Sequence, residues 1–220
     1  MKQIDLVYLK ELDEIVLSDA LDVLENGEGS VIEEVNWPMF PYKPITDFYL
    51  ARSSKAIFIK FRVRGNILKA ICTRDNEVVS EDSSVAFFVK KPEDEQFCAF
   101  TFNCIGVCSA TKQVENGEKI FLEKEDMIKI ERYSTLGKIV VGEMEGLFDW
   151  ELIVSIPFNL IGVDPDNLPK KLQANFYKSA TFSESSHYLT WNKIKTEHLE
   201  FYQPKYFGEL LLEGVENSEE

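Results

Sequence analysis

Two hundred and twenty residues with 24 Lys and Arg against 38 Asp and Glu carry a formal charge of −14, and 45% of the chain is hydrophobic. That apolar share supplies a core and excludes general disorder. The acidity argues against nucleic acid, which needs clustered Lys and Arg, and no apolar run approaches the roughly 20 residues of a membrane-spanning helix.

The segment Met1 to Leu17 carries acids through its apolar stretch, so it is not a secretory signal. The chain as written is expected in the cytoplasm; one whose leader had been removed, secreted or periplasmic, reads the same way. Next, Leu12, Ile15, Val16, Ala20, Val23 and Leu24 recur at helical spacing, which predicts one amphipathic helix over 11–24, ended by Asn26-Gly27. From there the period is two. Ile57, Ile59, Phe61 and Val63 share one face of 56–64, with Phe58, Lys60, Arg62 and Arg64 on the other. Further strands are predicted over 83–90, 97–104, 127–133, 150–156, 171–178 and 207–212. Turn signals separate them at Arg64-Gly65-Asn66, Lys91-Pro92-Glu93-Asp94, Asn116-Gly117 and Asp164-Pro165-Asp166-Asn167, and a short helical turn fits Pro157 to Ile161. Many strands without βαβ alternation predict an all-β, antiparallel β-sandwich with one short N-terminal helix. No repeat or linker divides the chain, so a single domain over 1–220 is expected, with 1–30 as an N-terminal extension and 213–220 as an acidic tail.

Cys72, Cys98, Cys104 and Cys108 form no CxxC pair and sit in apolar strands, which predicts buried free thiols. Six residues of strand hold Cys98 and Cys104 roughly 20 Å apart, too far for a disulfide.

Enzyme signatures are missing: no GxSxG, HExxH, P-loop or GxGxxG occurs. His187 and His198 read as ordinary loop histidines, and the Glu81-Asp82 and Glu93-Asp94-Glu95 clusters as solvated turn acids. Carboxylates are numerous, but no two are singled out as a glycosidase pair.

The strand 171–178 is more informative. Leu172, Ala174 and Phe176 point to one face, and Gln173, Asn175 and Tyr177 to the other as a row of amides and a phenol. Such a row suits a polyhydroxylated ligand, or simply a solvated sheet face. Trp37, bounded by Pro38, and Trp191, followed by Asn192, are stacking platforms or plugs over a sandwich edge. Trp150 alternates with Leu152 and Val154 and belongs to a core face.

Four segments in order resemble one family. Asp82-Ser83-Ser84-Val85-Ala86-Phe87-Phe88-Val89 is similar to the D-S-x-V-E-x-F strand of family 9 carbohydrate-binding modules and their stand-alone relatives. The run Phe97 to Gly106 resembles the aromatic strand ending in Asn and Gly, and Asn175-Phe176-Tyr177-Lys178 the penultimate strand. Trp191-Asn192, with Phe201-Tyr202-Gln203-Pro204-Lys205-Tyr206-Phe207-Gly208, resembles the W-N … F-H-x-P-x-x-F-G ending. Two departures stand out: Ala86 replaces the usual Glu and Tyr202 the common His.

The resemblance implies an immunoglobulin-like sandwich that binds a mono- or oligosaccharide without cleaving it, with two tryptophans around a terminal sugar and polar groups on its hydroxyls. On this reading the contacts are Trp191, Asn175, Tyr177, Lys178 and Trp37: Trp191 stacks, Asn175 hydrogen-bonds hydroxyls and Lys178 donates to ring or anomeric oxygens. No cofactor is expected, calcium being structural in the family and the one ion the resemblance admits. The competing readings are a small glycan hydrolase using a carboxylate pair, and an interaction module that keeps the sandwich without the sugar site.

Overall fold

The computed structural model describes residues 1–115 and 117–212; the acidic tail 213–220 and Asn116 of the expected Asn116-Gly117 turn lie outside the described residues. The strands in chain order are β1 (Gln3–Asp5), β2 (Glu28–Val31), β3 (Glu34–Val35), β4 (Ile45–Arg52), β5 (Ala56–Ala70), β6 (Ser84–Lys90) and β7 (Phe97–Asn103). They continue as β8 (Cys108–Gln113), β9 (Lys119–Phe121), β10 (Glu131–Ser134), β11 (Val141–Pro157), β12 (Lys171–Ala180), β13 (His187–Thr190) and β14 (Gly208–Leu211).

These strands form two sheets. A nine-stranded sheet runs β1-β14-β12-β6-β7-β8-β9, with β13 on β12 and β3 on β13; a five-stranded sheet runs β10-β11-β5-β4-β2. Alternation decides which side chains meet between them. Ile57, Ile59, Phe61 and Val63 of β5 join Phe48, Val85, Phe87, Phe100, Trp150 and Phe176 in one buried core, so the sequence pattern finds its expected partner layer. Phe48 and Phe176 stack across the sheets with ring centroids 3.8 Å apart. The architecture is the antiparallel β-sandwich that the periodicity predicted, apart from the parallel pairing of β1 with β14.

The opposite face of the five-stranded sheet is covered by the N-terminal segment. Leu12, Ala20 and Leu24 pack there on Ala51, Phe58 and Ile153. The continuous helix expected over 11–24 is absent. Short 3-10 turns at Lys10–Asp13, Leu17–Asp19 and Leu24–Asn26 flank one α turn, Ala20–Val23. Glu14 leaves the helical region and Val16 is extended (ψ 133°), so the chain breaks at the β-branched pair Ile15-Val16. Lys60, on the covered face of β5, reaches Glu25 at 2.7 Å and Glu151 at 3.3 Å and donates to the Leu21 carbonyl. Burial opposes its charge, but the two carboxylates outweigh this and hold the ammonium above its ordinary value. Residues 1–30 are therefore built into the sandwich, through β1 at one sheet edge and this strap over the other sheet.

Two expectations around the loops are corrected. The segment 127–133 is not one strand: a helical turn at Lys124–Met127 precedes β10. Asp82 is no solvated turn acid. It is fully buried and accepts from the Ile71 and Cys72 amides at 3.0 and 2.9 Å and from Asn103 Nδ2 at 2.9 Å. Asn103 Oδ1 in turn accepts from Ile105 and Val107, closing a turn in which Gly106 adopts φ +86°, a left-handed conformation suited to glycine. The Asp-Ser and Asn-Gly signatures thus tie β5, β6 and β7 together.

The four thiols are free and buried. Burial raises them all, Cys72 and Cys98 to about 11 and Cys104 to about 12, and Cys108 furthest.

Candidate functional site

All five residues expected to contact a sugar are buried, and they divide between the two faces of the nine-stranded sheet. Trp191 lies between the sheets at 1% exposure, edge-on to Phe48 and Phe176, with Nε1 donating to Ser30 Oγ at 2.9 Å. The backbone explains its position: β13 and β14 share one edge of β12, and Trp191 N bonds Phe176 O at their junction. Gly208 passes under the indole so closely that a Cβ there would lie 2.4 Å from Trp191 Cζ3. Its stacking role is corrected to a core role.

Asn175 is likewise tied to the fold. Its Nδ2 donates to Asn192 O at 2.9 Å and its Oδ1 accepts from Asn192 N at 2.8 Å, clamping the same junction. Asn192 Nδ2 then donates to Tyr206 O, so the Trp-Asn signature anchors the final segment.

Lys178 shares the parity of Phe176, not of Tyr177, and points away from the amide row. It is 2% exposed, and its Nζ lies 3.0 Å from His187 Nε2 and 3.1 Å from Ser179 O. His187 is not a loop histidine: it sits buried in β13, with Nδ1 2.8 Å from Ser185 O and Tyr42 edge-on at 5.1 Å. The carbonyl fixes the proton on Nδ1, leaving Nε2 to accept from the amine. Burial lowers Lys178 to about 7, and burial with the adjacent lysine lowers His187 to about 3. His198 is an exposed loop residue, as expected.

Tyr177 and Trp37 are brought together, on the outer face of the nine-stranded sheet. There Trp37, Ala86, Phe88, Phe97, Ala99, Tyr177, Tyr188, Ile194 and Phe207 make a second apolar cluster. Across it lies the irregular stretch 193–207. Phe201 packs on Tyr177 (4.6 Å), Tyr188 (5.8 Å), Phe88 (6.3 Å) and Trp37 (6.4 Å), and Tyr202 stacks on Phe88 at 5.3 Å. Asn175 and Tyr177 of the amide and phenol row are therefore covered, not solvated, while Gln173 stays half-exposed.

This cover leaves a cavity of about 310 Å³ beside it, lined by Ser80, Phe88, Thr101, Ser179, Thr181, Tyr188 and 199–203. The Ser80, Thr101 and Thr181 hydroxyls make no hydrogen bond to another described residue. Polar atoms around the same layer also lack partners among the described residues: Trp37 Nε1, Tyr177 OH, Gln113 Nε2 and Gln203 Oε1 are all buried and unmatched. Burial pushes the Tyr177 phenol well above its ordinary value, against the nearby Asn175 amide, and raises Tyr188 too. Phe201 and Tyr202 were legible only as part of the family ending. The signal in the residues themselves is the density of aromatics, Phe201, Tyr202, Tyr206 and Phe207, in a stretch with no strand period.

A second recess of about 600 Å³, lined by Thr73, Asp75, Gly106, Arg132 and Lys138 among others, is built differently. Arg132 donates all five of its N–H groups, to both Asp75 oxygens and to the carbonyls of Met127, Ile130 and Gly106. That convergence of oxygens, of the kind a hard cation uses, is filled by a guanidinium. Among the described residues no group of three or more His, Cys, Asp or Glu could hold a metal ion. No helix among them is long and apolar enough to cross a membrane.

The chain is similar over 96% of its length, at 27% identity and a TM-score of 0.85, to 98% of a candidate carbohydrate-binding protein of Bacteroides uniformis ATCC 8492. A family 9 carbohydrate-binding module of Caldicellulosiruptor kristjanssonii, solved with glucose, matches at 13% identity and a TM-score of 0.55 over 98% of each chain. The same organism's module solved with cellotriose matches at 13% identity and 0.56, over 98% of this chain and 96% of that one. No protein with a curated description matches significantly. The model of carbohydrate-binding family 9 covers residues 17–212, and the chain belongs to that family.

Proposed function

We propose that the protein binds a saccharide without cleaving it, in the cavity beside Tyr202 on the outer face of the nine-stranded sheet. Phe201, Tyr188 and the edge of Tyr202, whose ring stacks on Phe88 and carries the Lys119 ammonium 3.8 Å from its centre, give the apolar surface on which the C–H face of a pyranose packs. Ser80, Thr101 and Thr181 give free hydroxyls, and Glu200 and Gln203 charged and amide partners. The observation that carries this reading is the set of free Ser80, Thr101 and Thr181 hydroxyls that line one cavity with aromatic rings and with the buried, unmatched Gln203 Oε1, because buried polar groups elsewhere in proteins are paired. Of the departures from the family pattern, Tyr202 lines this cavity and Ala86 stands opposite its Thr101 on the neighbouring strand. Trp37 and Tyr177 take part as the layer that supports Phe201. The saccharides in the related modules make glucose and cellotriose the first probes.

Binding without turnover is favoured because hydrolysis of a glycoside needs two carboxylates facing one bond. Glu200 is the one carboxylate among the cavity's described lining residues, and it is engaged by Gln203 Nε2 at 3.0 Å.

Calorimetry on a saccharide hit tests the proposal. Tyr202→Ala is expected to leave a folded chain and to lower affinity roughly tenfold to a hundredfold, the range for losing an aromatic contact. Unchanged affinity, or release of products from the bound sugar, contradicts it.

A further inference from the structure

The recess of about 600 Å³ beside Arg132 shares no lining residue with the cavity at Tyr202. The stretch after β5, the β7–β8 turn, β10 and the β10–β11 link build it together. Its walls are aliphatic: Ile105 and Ile130 are buried, Val107 packs half-buried against the core, and Val140 is exposed. No aromatic ring is among the described lining residues, so the surface on which a pyranose packs is missing here. A flexible aliphatic chain needs no such ring.

Charge narrows the choice. The chain carries −14, yet the lining of this recess holds two cations, Arg132 and Lys138, against one carboxylate, Asp75. Arg132 and Asp75 neutralise each other, and the guanidinium has no N–H left to give. Lys138 is exposed, and its ammonium makes no hydrogen bond or ion pair with another described residue. The exposed Thr73 hydroxyl is equally free of described partners. One unmatched ammonium, with three donors, and one unmatched hydroxyl therefore stand at the rim of an aliphatic recess.

We infer that this recess binds a small amphiphile, an aliphatic body carrying one anionic head, with the body against Ile105, Val107, Ile130 and Val140 and the head on Lys138 and Thr73. A cavity of this size, mostly apolar with a few convergent polar groups, is the usual form of a small-molecule site. The field of the acidic chain repels anions in general, so the head is held by the local ammonium and not by the overall charge. The inference stands independently of the saccharide reading.

Octanoate, octyl phosphate and octanol share one aliphatic chain and differ in the head, so calorimetry with the three tests it. The better of the two anions is expected to bind about tenfold tighter or more than octanol, the margin of a hydrogen bond to a charged group, and it identifies the head as carboxylate or phosphate. Lys138→Met keeps the stem and removes the charge. It is expected to lower that anion's affinity about tenfold and to leave octanol unchanged. Val140→Asp puts a carboxylate on the wall and is expected to weaken all three. Both side chains are exposed, so both variants are expected to fold, as melting curves check. Amide shifts are expected to move at Gly106, Ile130 and Lys138 and to stay at 199–203. Octanol binding as tightly as the anions, anion affinity unchanged in Lys138→Met, shifts confined to 199–203, or no binding of any of the three overturns the inference. Saccharide affinity is expected to be the same in both variants as in the wild type, so a failure here leaves the saccharide reading standing.

Discussion

Trp191→Ala is expected to cost about 3–5 kcal/mol of folding stability, the range for emptying a large aromatic site in a core. The ring is 1% exposed, touches Phe48 and Phe176 from the two sheets, and is closed from beneath by Gly208. Truncation also leaves Ser30 Oγ without its indole donor. Denaturant midpoints of the wild type, Trp191→Phe and Trp191→Ala measure the effect, with Trp191→Phe intermediate because it keeps most of the ring. Saccharide affinity, corrected for any unfolded fraction, is expected to stay unchanged. A loss of stability under about 1 kcal/mol together with a loss of affinity would return Trp191 to the binding site and remove it from the core.

Replacing Lys178 by Met is expected to change the slope of stability with pH. Burial lowers the folded amine to about 7, while in the unfolded chain it keeps its ordinary value of 10.5. Between those values the unfolded state binds more protons, so stability rises with pH across this window. Below about pH 7 the full cost of the buried amine is present, on the order of 4–5 kcal/mol from the gap between the two values. Above about pH 10 it is gone. Lys178→Met removes the titrating group but leaves His187 Nε2 without a donor, an offset of roughly 1–3 kcal/mol. The variant is therefore expected to gain on the wild type at pH 6–7, lose that gain by pH 10, and show a flatter profile. His187, lowered to about 3, adds stability that is lost as pH falls below its ordinary value of 6.5; the loss is smaller in the variant, where the lysine that helps to lower it is gone. Urea titrations from pH 6 to 10 decide the matter; parallel profiles for the two chains would show that Lys178 does not titrate in this window.

The two residues show what a sequence carries and what it leaves out. Alternation in β5 was legible because its faces meet different surroundings, the core on one side and the N-terminal strap on the other. The first half of β11 was missed because residues 142–147 are exposed on both faces, so no period of two is written into them. The short strands β1, β2, β3 and β13 carry too few residues for any period to emerge. Alternation within β12 placed Asn175 and Tyr177 on one face correctly, and the same rule assigns Lys178 to the other; grouping it with them followed the polar character of the residue over its parity. Trp191 illustrates a different limit: a tryptophan beside an asparagine at a strand end reads the same whether its ring turns inward or outward. Which way it turns is set by the junction of β13 and β14 on β12, a contact between segments far apart in the chain. The family signatures were legible as patterns, but Asp82, Asn103, Asn175 and Asn192 prove to be hydrogen-bonding ties of the fold, and the cavity is walled by a stretch with no regular structure.

The central claim is that a saccharide meets the Tyr202 wall and not the five residues that pattern and resemblance singled out. Amide chemical-shift mapping on the isotope-labelled chain, titrated to saturation with the saccharide it binds best, tests that claim most directly. The largest changes are expected at Ser80, Thr101, Tyr188 and residues 199–203, with small changes at Asn175, Lys178 and Trp191. Largest changes at Asn175, Lys178 and Trp191, with Thr101 and 199–203 undisturbed, would contradict it.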